Sequence, residues 1–137
     1  MGKLIQRLQD ASRSGVFRAS RADEITDAVR GSELFLAKIR FGPKEMLLKN
    51  IGAALRFPDW FGGNWDALED CLSDLSWQKA LGHVLVFEDP QPGDELGVLL
   101  DVLRSSAEWW SARGRPFFAV FIDPARRLPL PDLFTEK

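Results

Sequence analysis

The densest group of reactive side chains in this sequence is acidic. Asp66, Glu69, Asp70 and Asp74 lie within nine residues of one another, beside Ser73 and the single cysteine, Cys71. At about 100° per residue, Trp65, Leu68, Cys71, Leu72 and Leu75 share one side of a helix. The acids and Ser73 share the other. Two chemistries fit such a face. Carboxylates spaced i,i+3 and i,i+4 can share a divalent cation, so Asp66, Glu69 and Asp70 could hold Mg²⁺ for hydrolysis of a phosphate or glycosidic bond. Alternatively, a row of carboxylates can dock against a basic partner. The segment has no Lys, Arg or His to stabilise a substrate or donate a proton, and no second acidic helix is evident. A solvated face is the ordinary explanation of a charge run. Here, however, Asp66/Asp70 and Asp70/Asp74 are i,i+4 like-charge pairs and Asp66/Glu69 an i,i+3 pair, with no base on the helix to offset them. Asp66 suits the first turn, where the helix dipole favours acids, whereas Asp70 and Asp74 lie beyond it.

The rest of the chain gives this face its contrast. There are 137 residues with a formal net charge of −2. That small number hides a sorting. Phe57–Leu103 holds ten acids against one base, Lys79, for −9, and the remainder holds 17 bases against ten acids, for +7. The length suits one domain with its own core. A composition of 45% hydrophobic and 28% charged residues excludes wholesale disorder. One cysteine and one histidine cannot make an intrachain disulfide or a structural zinc site, and no cofactor is implied. No apolar run is long enough for a signal peptide or a membrane span, and Gln6 stands where a myristoylation signal needs Ser or Thr. The expectation is a cytoplasmic protein with a reduced thiol. Trp60, Trp65 and Trp77 all fall in the acidic block, which argues against a nucleic-acid ligand and for a basic one.

Elements that could position the acidic face emerge from pattern. Short helices are predicted over Lys3–Ala11 and Asp23–Arg30, the latter capped by Ser20 or Asp23 and closed by Gly31. Val16–Ala19 is a short strand candidate. Leu34–Phe41 reads as a strand. Pro43 suits the first turn of a helix running to Leu55, with Met46, Leu47, Ile51, Ala54 and Leu55 as its buried stripe. After a loop over Arg56–Gly63, Asn64 caps a helix expected to reach Leu75. His83–Glu88 and Phe117–Ile122 are apolar strands, the second continuous enough to be covered on both faces. Between them Asp94 caps a helix to about Arg113. The tail from Pro124, with three prolines, reads as loop. Strands alternating with helices imply an α/β fold with a mainly parallel sheet. In such sheets sites favour the carboxyl ends of strands, which makes Glu88-Asp89 a candidate frame. His83 is read as structural, Trp110 as core and Gly62-Gly63 as no phosphate loop, because the P-loop context is missing.

The segment Phe57–Trp77, FPDWFGGNWDALEDCLSDLSW, resembles the signature of the barstar family, small intracellular inhibitors of barnase-type ribonucleases. The likeness rests on Trp60-Phe61, Gly62, Asn64, Asp66-Ala67-Leu68, Asp70-Cys71-Leu72 and Trp77, and extends more loosely from Leu34 to about Asp123. It implies a small three-stranded parallel sheet packed with helices in layers, with Val16–Ala19 as a fourth strand from an N-terminal extension. The implied organisation is an extension over 1–33, a barstar-like domain over 34–123 and a tail over 124–137. It also implies an inhibitor rather than an enzyme, acting in toxin immunity and monomeric when free. Its partner would be a basic ribonuclease, met through protein–protein contact without nucleic acid or membrane. In this resemblance Asp70 is the central carboxylate, forked by active-site arginines. Asp66 reaches a neighbouring base, Trp60 packs where the family has Tyr, and Ser73 lies at the rim. Glu69 stands where the family has an aromatic residue, Asp74 where it has glycine, and Trp109 where it has an acid, with Glu108 adjacent. Gly63, Glu108 and Trp109 are therefore further candidates at the edge. These departures leave open a different nuclease, or a regulatory protein, as the target.

Overall fold

The computed structural model describes residues 3–59 and 61–134. The elements are α1 (Lys3–Leu8), a 3-10 turn (Ala11–Arg13), β1 (Gly15–Ala19), α2 (Asp23–Val29), β2 (Leu34–Arg40), α3 (Lys44–Ala54), α4 (Trp65–Leu72), β3 (Gly82–Glu88), α5 (Asp94–Ser111) and β4 (Phe117–Ile122).

The four strands form one sheet in the order β1-β4-β3-β2, parallel throughout. The two inner strands are almost wholly buried, as strands covered on both faces must be. Their side chains alternate between two cores. Leu85, Phe87, Phe117, Ala119 and Phe121 face a core shared with Leu47, Leu48 and Ile51 of α3, Leu68 and Leu72 of α4, and Leu99 and Leu103 of α5. The Phe87 and Phe121 rings stack there with centroids 4.7 Å apart. Val84, Val86, Phe118 and Val120 face the other core, closed by Leu8 of α1 and Ile25 and Val29 of α2. The first 33 residues thus supply an edge strand and one covering layer. At the start of β3 the chain has no room for a side chain: a Cβ on Gly82 would lie 2.7 Å from the Pro116 carbonyl oxygen.

The tail beyond β4 is irregular but not loose. Leu128, Leu130 and Leu133 are buried, and Asp132 bridges to Arg18 of β1 in parallel register. Arg18 is the lock. Only 3% exposed, it donates through Nε and Nη2 to the Asp123 carbonyl (3.1 and 2.6 Å), through Nη1 to the Asp132 carboxylate and through Nη2 to Ser20. Burial alone would raise the Asp123 carboxyl. The N–H groups of Leu128 and Arg127, with the charge of Arg18, instead hold it below its ordinary value.

Several expected boundaries shift. Pro43 is the N-cap of α3 rather than part of its first turn. Gly93, not Asp94, occupies the N-cap of α5, and Ala22, without a side-chain cap, that of α2. Met46 is 54% exposed, and Leu48 takes its place in the buried stripe of α3. The wheel angle decides this: Leu47, Leu48, Ile51 and Leu55 form a contiguous band, and Met46 lies outside it.

Truncating Arg18 leaves the Asp123 and Asp132 carboxylates short of their partner. Breaking a buried pair from one side is strongly destabilising, so Arg18→Ala is expected to lower unfolding stability by about 3 kcal/mol in urea titration. His83 gives a second test. Burial, with the charge of Arg115 adding, pushes its imidazole from 6.5 down to about 4, so the folded protein holds it neutral. The unfolded chain takes up the proton first. The stability from a neutral His83 is therefore complete above about pH 6.5 and lost as pH falls towards 4, a decline of up to about 3 kcal/mol. Urea titrations between pH 7 and 4 should show this slope in the wild type and a flatter one in His83→Gln.

Candidate functional site

The acidic helix begins at a well-made stop. Gly63 turns the chain at φ 72°, Asn64 is extended, and its Oδ1 accepts from the Ala67 N–H at 2.7 Å. This is the N-cap expected of Asn. Leu68, Cys71 and Leu72 are buried, while Asp66, Glu69 and Asp70 are exposed. The helix ends at Leu72, a turn short of the expected Leu75. There the Ser73 hydroxyl donates to the Glu69 carbonyl at 2.6 Å, and buried Leu75 adopts φ 50°. Asp74 is exposed but lies just past the helix. Its spacing from Asp70 is therefore not that of a helical i,i+4 pair.

The segment leaving α4 is tied down. Trp77 Nε1 and Gln78 Nε2 both donate to the Leu55 carbonyl oxygen, at 3.0 and 2.5 Å. With its amide so used, Gln78 accepts from His83 Nε2 through Oε1, at 2.9 Å. Leu55 ends α3 and His83 opens β3, so one chain of hydrogen bonds joins both to the exit of α4. On the far side of α4, Trp110 Nε1 donates to the Leu72 carbonyl at 2.7 Å. Trp110 is half-buried, packed against the core and bonded at its polar tip.

The loop before α4 is packed onto α3. The Phe57 N–H donates to the Gly52 carbonyl (2.8 Å). Phe57 meets Phe61 edge-on at 4.8 Å and Trp77 edge-on at 5.8 Å. Gly52 leaves the space for these rings, since a Cβ there would sit 3.3 Å from Phe61 and 3.4 Å from Phe57. Trp60 lies outside the described residues. Loop, helix and exit segment thus share one aromatic footing at the amino end of β2 and β3.

The family comparison matches barstar, described as the barnase inhibitor, over residues 34–122, from β2 to β4. The chain belongs to the barstar family. No curated protein matches it closely enough to be called a relative. The barstar match leaves out α1, β1, α2 and the tail, and Arg18 ties β1 to that tail.

Among the described residues, Asp66, Glu69, Asp70 and Asp74 take part in no ion pair, as is also true of exposed acids elsewhere such as Asp23, Glu24, Glu45 and Glu95. What sets this barstar-family site apart is crowding: its four acids fall within nine residues with no base among them. Asp70 occupies the last turn of α4, and Asp74 comes directly after it. Carboxylates are disfavoured at a helix C-terminus, and no base stands in that turn. Behind them, burial pushes the Cys71 thiol up to about 11, with Asp70 and Asp74 adding to the shift. The sulphur stays protonated and unreactive at neutral pH. Among the described residues, no group of three His, Cys, Asp or Glu side chains converges as a metal ligand set.

The remaining candidates scatter. Glu88 and Asp89 lie at the carboxyl end of the sheet, away from the site, and Asp89 pairs with Arg40 at 2.8 Å. They do not frame it. On α5, Glu108 is exposed, and Trp109 is 41% exposed with the Arg113 guanidinium 3.2 Å from its ring centroid. Sequence reasoning missed that stack, although the i,i+4 spacing of Trp109 and Arg113 could have signalled it. It also missed Gln78 and the Leu55 carbonyl, whose pairing across 23 residues leaves no local signal.

If these acids serve binding rather than the fold, neutralising them should strengthen the fold. Asp70→Asn/Asp74→Asn is expected to raise unfolding stability by about 1 kcal/mol at low ionic strength, with the gain shrinking in salt. Urea titration at two salt concentrations checks it.

Proposed function

We propose that the chain inhibits a barnase-type ribonuclease in the cytoplasm by seating the acidic face of α4 and the adjoining loop in the enzyme's basic active site. The observation that carries this reading is the crowding of exposed carboxylates on a rigid footing, with no base among them and with Asp70 and Asp74 placed against the stability of their own helix. Asp70 stands where it would be forked by active-site arginines, in place of a substrate phosphate. Asp66 flanks it, and Ser73 and Gly63 lie at the rim. Glu69 and Asp74 widen the anionic surface, and Trp60 would pack beside it. Opposite charge speeds encounter, and desolvated carboxylate–guanidinium pairs slow release. The barnase–barstar pair is itself a reference case for these effects, so their scale is the family's. A cation-dependent hydrolase is not favoured, because the acids fan out over a surface without converging. A target other than a close barnase relative is favoured by Asp74 and Trp109, since both alter the rim.

Asp70→Ala should cost at least ~2 kcal/mol of affinity for the cognate ribonuclease, about thirtyfold, and mainly through faster dissociation. A stopped-flow chase reads this directly, and an unchanged off-rate sinks the assignment of Asp70 as the central carboxylate.

A further inference from the structure

Next to the acidic face lies a second charged surface of opposite sign. Arg56 stands just past the end of α3, Lys79 just past the exit segment, and Arg113 and Arg115 just past α5. All four are exposed. Arg56 and Lys79 line a hollow of about 440 Å³ with Phe35, Trp77, Gln78 and Ala80. Lys79 and Arg115 line an adjoining hollow of about 490 Å³ with Gln78, Ala80, Leu81 and Glu33. Arg115 donates to the Ala80 carbonyl at 3.2 Å. The two hollows share the 78–80 segment, which joins Arg56, Lys79 and Arg115 in one arc at the amino end of the sheet. Arg113, two residues before Arg115, adds a fourth cation at its edge. Lys79, the one base of the −9 block, stands at its centre.

Three features suit this arc to a charged partner. First, the arginines rest on aromatic rings: Arg113 on Trp109 at 3.2 Å, Arg56 by Phe35 at 5.9 Å and Arg115 by Trp110 at 5.9 Å. Long side chains held this way lose less freedom on binding. Second, none of the four cations joins an ion pair among the described residues, a trait they share with Lys38, Lys44 and Lys49 but combine with the hollows between them. The acids of α4 and the bases of the arc are neighbours that do not neutralise one another. Third, Leu81 is 57% exposed beside Lys79 and Arg115, an apolar contact of the kind found inside protein interfaces. The acids at its margins are Glu33 in one hollow and Glu108 beside Trp109.

We infer that the arc is a second contact surface, which takes an acidic segment of the same protein partner whose basic site meets α4. This rests on the inhibitor reading for the acidic face and adds a requirement on the partner, namely an acidic ridge beside its basic cleft. A polyanionic nucleic acid fits less well, because the carboxylates of α4 would repel its continuing backbone. A folded protein can place the two signs at separate points. Two opposed patches also fix the partner's orientation, where one acidic face would not.

The test uses the full chain, labelled for amide NMR and titrated at low salt with three probes: hexaglutamate, hexalysine and hexauridylate. Hexaglutamate is expected to move the amides of Arg56, Lys79, Leu81, Arg113 and Arg115, and Lys79→Glu/Arg115→Glu to weaken it about tenfold. Should that double variant disturb remote amides, Arg56→Glu alone is expected to give a partial loss. Hexaglutamate shifts spread equally over Lys38, Lys44 and Lys49 overturn the inference, as does the absence of shifts. Tighter binding of hexauridylate at the arc overturns the protein-partner assignment in favour of nucleic acid. Hexalysine reports separately on the inhibitor reading: it should move the amides of α4 in wild type and arc variant alike.

Discussion

One carbonyl oxygen organises the functional end of the molecule. Leu55 ends α3, and its oxygen receives the indole N–H of Trp77 and the amide of Gln78. The second donor is itself fixed by His83 at the start of β3. Helix ends leave their last carbonyls unsatisfied, and here that vacancy anchors the segment leaving α4. Because Trp77 also braces Phe57, the loop entering α4 depends on the same point. The acidic helix is thus held at both ends by groups that belong to the sheet and to α3, while its charged side stays bare. Neutral His83 is part of that anchorage, which makes the burial of a lone histidine intelligible without any catalytic role.

A helix assembled for stability would carry its acids at the start and bases at the end. α4 does otherwise, with Asp70 and Asp74 at the wrong end and no base to balance them. The offset comes from packing: Leu68, Cys71 and Leu72 are fully buried, and Trp110 seals the helix end through Leu72. Apolar burial of three side chains outweighs repulsions of a few tenths of a kcal/mol each. The fold can therefore carry an electrostatically unfavourable surface at modest expense, and a preorganised surface is what rapid, slow-releasing association requires.

Much of this was legible in the sequence. The apolar strands, the capping of α4 by Asn64, its buried stripe and its exposed acids all come from local periodicity, which survives tertiary context when a segment is long and sharply two-sided. Boundaries were less legible. The end of α4 is set by a left-handed Leu75 and a Ser73 back-bond, a competition that side-chain pattern does not display. Met46 passed for core because one apolar residue beside a stripe looks like part of it. The tail is the loop its prolines suggest, but the burial of Leu128, Leu130 and Leu133 against the two cores comes from contacts that span the length of the chain and leave no local signal. At the site, charge was visible and position was not. The Leu55 carbonyl, Gln78 and the convergence of Arg56, Lys79 and Arg115 are products of the fold, made from residues far apart in sequence.

The placement of β1 has a consequence for how the chain is made. Gly15 pairs with Phe118, and Ser14 accepts from the Phe117 N–H 103 residues along. The first strand therefore has no partner until the last has been synthesised. At ~5–20 residues per second this is a wait of roughly 5–20 s, during which an unpaired apolar strand is open to wrong pairings. Arg18 is the fourth of the five residues of that strand. A charge inside a short β segment is a known guard against aggregation. The guanidinium that later disappears beneath the tail is, until then, a charge of that kind on the waiting strand.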